Sequence, residues 1–527
     1  STLFPYTTLF RSGSCGCLLN DNFWWGAIMQ AYMSRPLDPH LVGDSWRASW
    51  LKRLEEMPLW PALWMRQQVR NEYWKHGSVC EDYSAIQCPV LALDGWADSY
   101  TNTVLRVVEN LKVPRRGIIG PWAHVYPHDG APGPAIGFLQ EAVRWWDHWL
   151  KGKENGVTEA PMVQAWIQDS YPPSAFQYVS AGRWVCAEDW PSKQTEERTL
   201  HLAHGKLLDR PCEKKESVKL KTPLNHGLLA GEWMGAAVPG ESPSDQRIDD
   251  GMAMVFEGEV LSEPLEILGY PRFEIELSSD KPCAMLFAQL SDVAPDGAVT
   301  RVTYGVMNLT HLEGHDKVVR LEPGKKVKAW VKLDCAGHRF KPGHRMRLSL
   351  ATTFWPMFWP MPEEATLTLD LATGVLRLPV FKESVEGRAP EAQPESAPLT
   401  PTTFLTEGYV DRSVSYDILK DTWTCITNGV GGVFGEGIYR FDEIDVTVEH
   451  NLKRELVLTN GDPLSAKYNL YQKMRLGREG WWTEANILTS LRGDAENFLL
   501  YSEMTVTEND KEVFKKEWKD TIPREGL

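Results

Sequence analysis

Two apolar runs, Pro89 to Asp94 and Gly117 to Gly120, flank a helical stretch from Ser99 to Lys112. No other feature restricts the fold of this chain as strongly, because a strand, a helix and a second strand in that order build an α/β layer around a mostly parallel sheet. Each run ends in a glycine-led loop that carries one ionisable side chain. The first is Gly95-Trp96-Ala97-Asp98 and the second is Gly120-Pro121-Trp122-Ala123-His124. A carboxylate and an imidazole therefore follow consecutive strand ends.

That pair has the chemistry of an acid and a base. An imidazole can take a proton from a hydroxyl, and a carboxylate can hold the ring in the right tautomer and stabilise its cationic form. Asp98 and His124 are the candidate catalytic residues, with Asp94, at the end of its strand, as the rival acid. In α/β folds that use a serine nucleophile the chain order is Ser, then Asp or Glu, then His, and the serine occupies a G-x-S-x-G turn. No G-x-S-x-G occurs in the 527 residues. The chain thus carries the acid and the base of a second half-site without the nucleophile.

The first residues bear on that gap. Thr2 to Ser12 reads as a translated sequencing adapter, and such a scar is excluded from fold reasoning. A secretory signal would need an uninterrupted apolar stretch, which Pro5, Tyr6, Thr7 and Thr8 break. Native sequence is expected from about Gly13, inside a domain and not at its edge.

The length calls for about three domains. A net charge of -15 argues against nucleic acid or an anionic membrane as partner, since both demand a basic face. No apolar run approaches the ~20 residues that cross a bilayer. Nine cysteines without a repeated spacing point to a reduced, cytoplasmic setting.

Between Asn20 and Tyr83 the chain is rich in Trp, Arg and Leu, with helical spacing at Trp46, Trp50 and Leu54 and again at Trp60 and Trp64. Short helices there are expected to cap the site. After His124, the positions Phe138, Leu139, Ala142, Val143, Trp146, Trp149 and Leu150 mark one apolar helix face, expected to pack on the last strand, and Gly152 stops the helix. Beyond about Tyr171 the period becomes alternating. Arg198–Leu202, Arg272–Leu277, Met285–Leu290, Thr300–Met307, Val327–Leu333, Met346–Ala351 and Thr366–Leu371 are predicted strands of an all-β sandwich. The proline-rich stretch 383–401 reads as a linker or surface crossing. Residues 402–527 are strand-like again, with Asn460-Gly461 as a hairpin turn.

The sequence resembles the CocE/NonD hydrolases, the group of cocaine esterase, α-amino-acid ester hydrolases and X-prolyl dipeptidyl-peptidases. The resemblance is carried by the two glycine-led loops, by Arg144-Trp145-Trp146-Asp147-His148-Trp149-Leu150-Lys151-Gly152, by Pro264-Leu265-Glu266-Ile267-Leu268-Gly269 and by Ser291-Asp292-Val293-Ala294-Pro295-Asp296-Gly297. It implies the carboxyl-terminal part of an α/β-hydrolase domain with a helical cap in residues 13–175. A jelly-roll β-sandwich would follow in 176–382, the linker in 383–401 and a further β-rich extension in 402–527. It also implies cleavage of small ester or peptide substrates through an acyl-serine intermediate, with His124 as base, Asp98 as orienting acid and no cofactor or metal. Lacking the serine turn, the chain alone is expected to be inactive. Phe23, Trp24 and Trp25 fall by resemblance between nucleophile and cap and are candidates for lining an acyl pocket, against simple packing.

Three other patterns read as structural. Pro127 opposes the regular helix that a His124/His128 metal pair would need. His311-Leu-Glu-Gly-His315 does not match H-E-x-x-H, and the cluster Gly429, Gly431, Gly432, Gly435 and Gly437 does not fit G-x-G-x-x-G. A turn is expected at the glycine cluster. The alternative to a hydrolase is a binding protein whose β domains recognise a ligand such as a glycan.

Overall fold

The computed structural model describes residues 16–18, 20–212, 214–385 and 387–527. The adapter-like segment 1–12 and Cys15 lie outside the described residues.

The predicted α/β layer is present. Strands Val90–Gly95 and Arg115–Gly120 pair in parallel from Val90 opposite Arg115 to Gly95 opposite Gly120, and helix Thr101–Asn110 connects them. Its Val104, Leu105 and Val108 turn inward on Ile119, Val163 and Ala165, as the three- and four-residue spacing requires. Strand Val163–Asp169 extends the sheet in parallel beside Arg115–Gly120. It also pairs with Ala336–Phe340, so the sheet continues without a break into the β-sandwich, sixteen strands in all. Strand Val90–Gly95 ends that path with a single neighbour.

The sandwich buries one large aliphatic core, built from Leu200, Phe256, Ile267, Phe273, Leu286, Leu348, Leu369 and Leu376 among others. The predicted strands are there, most with longer bounds; Val327–Leu333 ends at Lys332, and Thr366–Leu371 overlaps the first third of Leu367–Phe381. Strand Met285–Val293 is buried at every residue, because strands flank it on both sides and side chains cover both its faces. Gly182–Ala187, Leu265–Gly269 and Ala336–Phe340 are strands that alternation did not mark, being short and interrupted by polar or glycine residues.

Residues 402–523 form a second, nine-stranded sheet, whose strands alternate buried and half-buried residues. The expected hairpin joins Val446–Thr459 to Asp462–Arg478, with Gly461 at φ +71°. Helix Asn20–Met33 packs Phe23, Trp24, Ala27 and Ile28 against Leu452, Leu456, Tyr468 and Leu491 of this sheet. Helix Trp46–Glu56 adds Trp50 and Leu54 against Met474, Ile487, Met504 and Val506. Polar bonds lock the contact: Gln30 Oε1 accepts from Thr489 and Ser502, and Gln472 donates to the Ala27 carbonyl. The helices expected as a cap thus share their core with the carboxyl-terminal sheet.

Helix Phe138–Lys151 forms as predicted and stops at Gly152 in the left-handed region. Its orientation differs from the expectation. The buried residues are Glu141 and Trp145, whereas Val143, Trp146 and Leu150 are 57%, 52% and 74% exposed. Glu141 is drawn inward by Arg116 on the neighbouring strand, 3.1 Å away, and by Arg144 at 2.7 Å. A buried charge must meet its partner, and that pairing rotates the apolar stripe outward. The 383–401 stretch crosses this region: Gly137 N donates to Glu391 O, Glu391 N to Glu141, and Gln140 to Gln393 O.

Candidate active site

The two loops interlock through Trp122. Its carbonyl accepts from Ala97 N at 3.0 Å, and Trp96 N donates to Gly120 O at 2.9 Å. The close approach explains the glycines: a Cβ on Gly95 would lie 2.0 Å from the Trp122 carbonyl oxygen, and one on Gly120 would lie 2.4 Å from the Trp122 ring. The indole is anchored by its Nε1–H to Pro134 O at 2.7 Å, and Trp96 donates to Trp166 O. Gly95, Trp96, Ala97, Gly120 and Trp122 thus hold the two loops together beside Asp98 and His124.

His124 Nδ1 lies 2.7 Å from Asp98 Oδ2. The second carboxylate oxygen of Asp98 accepts from Tyr100 N at 2.9 Å and Ser99 Oγ at 3.3 Å, so Asp98 is buried, held and aimed. The His124 side chain is 33% exposed. Burial of the ring opposes the imidazolium, and the hydrogen bond and charge of Asp98 outweigh it, so the His124 pKa is raised above its ordinary value. The bond to Asp98 engages Nδ1, so Nε2 is the ring nitrogen that the carboxylate leaves available. This is half of an acid–base relay: Nδ1 is fixed by a carboxylate and Nε2 is open for a proton from a reactant.

Asp94, the rival acid, does not reach the imidazole. Its Oδ1 accepts from Gly95 N at 2.8 Å, and burial, followed by the charge of Asp98, raises its pKa well above the carboxylate range.

A cavity of about 130 Å³ opens beside Asp98, lined by Ser99, Thr101, Glu232, Trp233, Glu241, Arg301, Tyr304 and Asp334. The segment 232–241, which nothing in the sequence marked, touches the relay twice. His124 N donates to Gly235 O at 2.7 Å, and Trp233 packs edge-on against Tyr100, which packs edge-on against the His124 ring. These residues went unnoticed because they come from loops without periodicity, more than a hundred positions from His124.

The other candidates fall elsewhere. Phe23 is fully buried against Tyr468, and Trp24 is buried beneath the Arg454 guanidinium. Trp25 is half-buried on the same cluster, and none of the three lines the cavity beside Asp98. His128 stacks on Tyr126 and Phe138. His311 Nδ1 is 3.2 Å from His315 Nδ1. Among the described residues no group of three or more His, Cys, Asp or Glu side chains is placed to hold a metal ion. Gly431, Gly432, Gly435 and Gly437 all have positive φ and form the turn between two strands. Cys80, Cys88, Cys186, Cys212, Cys283, Cys335 and Cys425 form no disulfide, and no helix of the described residues is long and apolar enough to cross a membrane.

A carboxylate and an imidazole on consecutive parallel-strand ends, in a sheet continuous with a β-sandwich, define the class: an α/β-hydrolase-type half-site joined to an all-β domain. Comparison with known proteins agrees with it. Residues 6–126 match the model of the X-Pro dipeptidyl-peptidase (S15 family), and residues 155–391 match that of the X-Pro dipeptidyl-peptidase C-terminal non-catalytic domain. Cocaine esterase of Rhodococcus sp. (strain MB1 Bresler) is 23% identical over 349 residues, 60% of this chain and 59% of that protein. An aminopeptidase from the marine sediment archaeon Thaumarchaeota archaeon superposes with a TM-score of 0.50 at 18% identity, over 63% of this chain and 62% of that one. A CocE/NonD family hydrolase from Staphylococcus aureus gives 0.49 at 13% identity, with coverage of 63% and 62%. By these two models and by its likeness to cocaine esterase, the chain resembles the CocE/NonD-like hydrolases. It spans about three-fifths of the length of these relatives.

Proposed function

We propose that this chain supplies the base and the orienting acid of an acyl hydrolase acting on small ester or peptide substrates, with the serine nucleophile on a segment that the chain lacks. The observation that carries this reading is the 2.7 Å bond from His124 Nδ1 to a buried Asp98, in a ring that keeps a third of its surface exposed. In the complete enzyme His124 would take the serine proton through Nε2 as the acyl bond forms and return it to the leaving group, with Asp98 stabilising the imidazolium. Without the serine and its neighbouring backbone donor, the chain alone would lack the covalent step and the oxyanion donor beside it. The strand Val90–Gly95, paired on one side only among the described residues, is where further parallel strands would join. A reduced cytoplasmic location suits the free thiols of Cys80, Cys88, Cys186, Cys212, Cys283, Cys335 and Cys425.

The test is to extend the reading frame upstream of Gly13 and assay the product on chromogenic acyl esters and X-Pro dipeptide amides. A G-x-S-x-G turn upstream, with turnover that falls about 10⁶-fold in His124→Ala, supports the reading. His124-dependent turnover by the present chain alone would overturn the missing nucleophile. An upstream stop codon, with a sugar-dependent rise in melting temperature, would favour ligand recognition by the β domains instead.

A further inference from the structure

The carboxyl-terminal sheet reaches the relay through one side chain. Arg412 stands on strand Tyr409–Asp417, in a part of the chain to which the acid–base chemistry assigns nothing, and grips the 232–241 segment at three points. Its Nε donates to Glu232 Oε1 at 3.1 Å, Nη1 to Pro239 O at 2.8 Å and Nη2 to Glu241 Oε1 at 3.1 Å. Gly240 lets the backbone close on it, since a Cβ there would meet the Arg412 Cδ at 3.1 Å. Glu241 in turn accepts from Ala236 N at 2.6 Å and Val238 N at 2.9 Å through Oε2. These two amides flank the stretch that follows Gly235, whose carbonyl receives the His124 N–H. Trp233, within the same grip, reaches the His124 ring through Tyr100.

We propose that Arg412 is a positioning residue for His124, holding the 232–241 segment so that its backbone and Trp233 fix the imidazole on Asp98; the proposal rests on the acid–base reading of that pair. A planar fork suits this task, because it addresses two carboxylates and a carbonyl at once, which an ammonium does not. Arg454 also binds Glu232, at 2.6 Å, but among the described residues it is Arg412 that bridges Glu232 to Glu241. The charges around Glu241 agree with the geometry. Burial pushes its carboxyl up to about 7, Arg412 is the strongest influence holding it down, and Glu232 opposes Arg412. Without Arg412 the Glu241 carboxyl that organises the loop would lose its cation, while Glu232 would keep Arg454.

The experiment is nuclear magnetic resonance of the full chain labelled with ¹⁵N-histidine, with His124 assigned through His124→Gln. The parent chain should show a low-field Nδ1 proton that Asp98→Asn removes. In Arg412→Gln this signal should broaden or vanish and the His124 midpoint should fall by about half a pH unit or more. Arg412→Lys should lie between the two. His338 and His344, both bonded to the distant Asp292, should not move. Unchanged His124 signals in Arg412→Gln and Arg412→Lys would overturn the proposal and leave the acid–base reading standing. A parent chain with no Asp98-dependent signal would overturn both, before any Arg412 variant is made. Where Arg412→Gln disturbs His338 as well, the fold has been lost and Arg412→Lys decides: a shifted His124 beside an unmoved His338 supports the proposal, and an unmoved His124 overturns it.

Discussion

His124 and Asp98 meet at 2.7 Å although 26 positions separate them, because both loops close on the same tryptophan, Trp122. The bond raises the His124 pKa, so the protonated ring stabilises the folded state. That contribution is complete below the ordinary imidazole value of about 6.5 and is lost as pH rises through the raised folded value. Asp98→Asn should abolish this dependence, with the difference between the two melting-temperature profiles closing above the folded His124 pKa. A difference of constant size from pH 5 to 9 would count against the pairing as its source.

Gly95→Ala should cost about 2 to 4 kcal/mol, at the high end for adding one methyl. The new Cβ would meet the Trp122 carbonyl at 2.0 Å, and neither loop can retreat without breaking the Trp96–Gly120 and Ala97–Trp122 bonds. Urea midpoints measure the cost. The same variant should lose the low-field His124 proton, whereas Gly152→Ala, at a helix end with open space around it, should retain it.

Asp292 is a second buried carboxylate with histidine partners, and its role is structural. It accepts from His338 Nε2 at 2.9 Å and His344 Nδ1 at 2.7 Å, and from Ser170 Oγ, tying four strands or loops of the sandwich at one point. Burial alone would raise its pKa, but the bonds to His338, Ser170 and His344 outweigh it and hold it below the ordinary value. A depressed carboxyl gives stability that is present above the unfolded pKa near 4 and disappears as pH falls through the folded one. Asp292→Asn should therefore destabilise by about 3 kcal/mol at pH 7 and remove that acid limb, as read from denaturation midpoints between pH 2 and 7.

Removing residues 402–527 should release the helices at Asn20–Met33 and Trp46–Glu56, since the faces of Phe23, Trp24, Trp50 and Leu54 are buried against that sheet. Amide exchange of both helices should rise to the rate of an unfolded chain, while the strands Met285–Val293 and Arg345–Ala351, in the separate sandwich core, stay protected. Protected helices in the shortened chain would show that they are held by something else.

Local sequence was sufficient wherever a local rule decided the outcome. The strand ends before Asp98 and His124, helix Phe138–Lys151 with its Gly152 stop, the turn at Asn460-Gly461 and most sandwich strands follow from periodicity and turn chemistry, which act within a few residues. The His124–Asp98 pair was legible for the same reason, as two short motifs with a known geometry between them.

Tertiary structure decided what depends on partners distant in sequence. Helical spacing fixes that Val143, Trp146 and Leu150 share a face, but the ion pair of Glu141 with Arg116 decides that this face points outward. Apolar composition required burial of Phe23 and Trp24, and only the assembled fold made the carboxyl-terminal sheet their partner. Arg412 shows the limit most clearly: nothing in its neighbourhood of the chain distinguishes it, and its contacts to Glu232, Pro239 and Glu241 exist only because folding brings charges 171 to 180 positions apart into one buried cluster, where an unpaired charge would be costly.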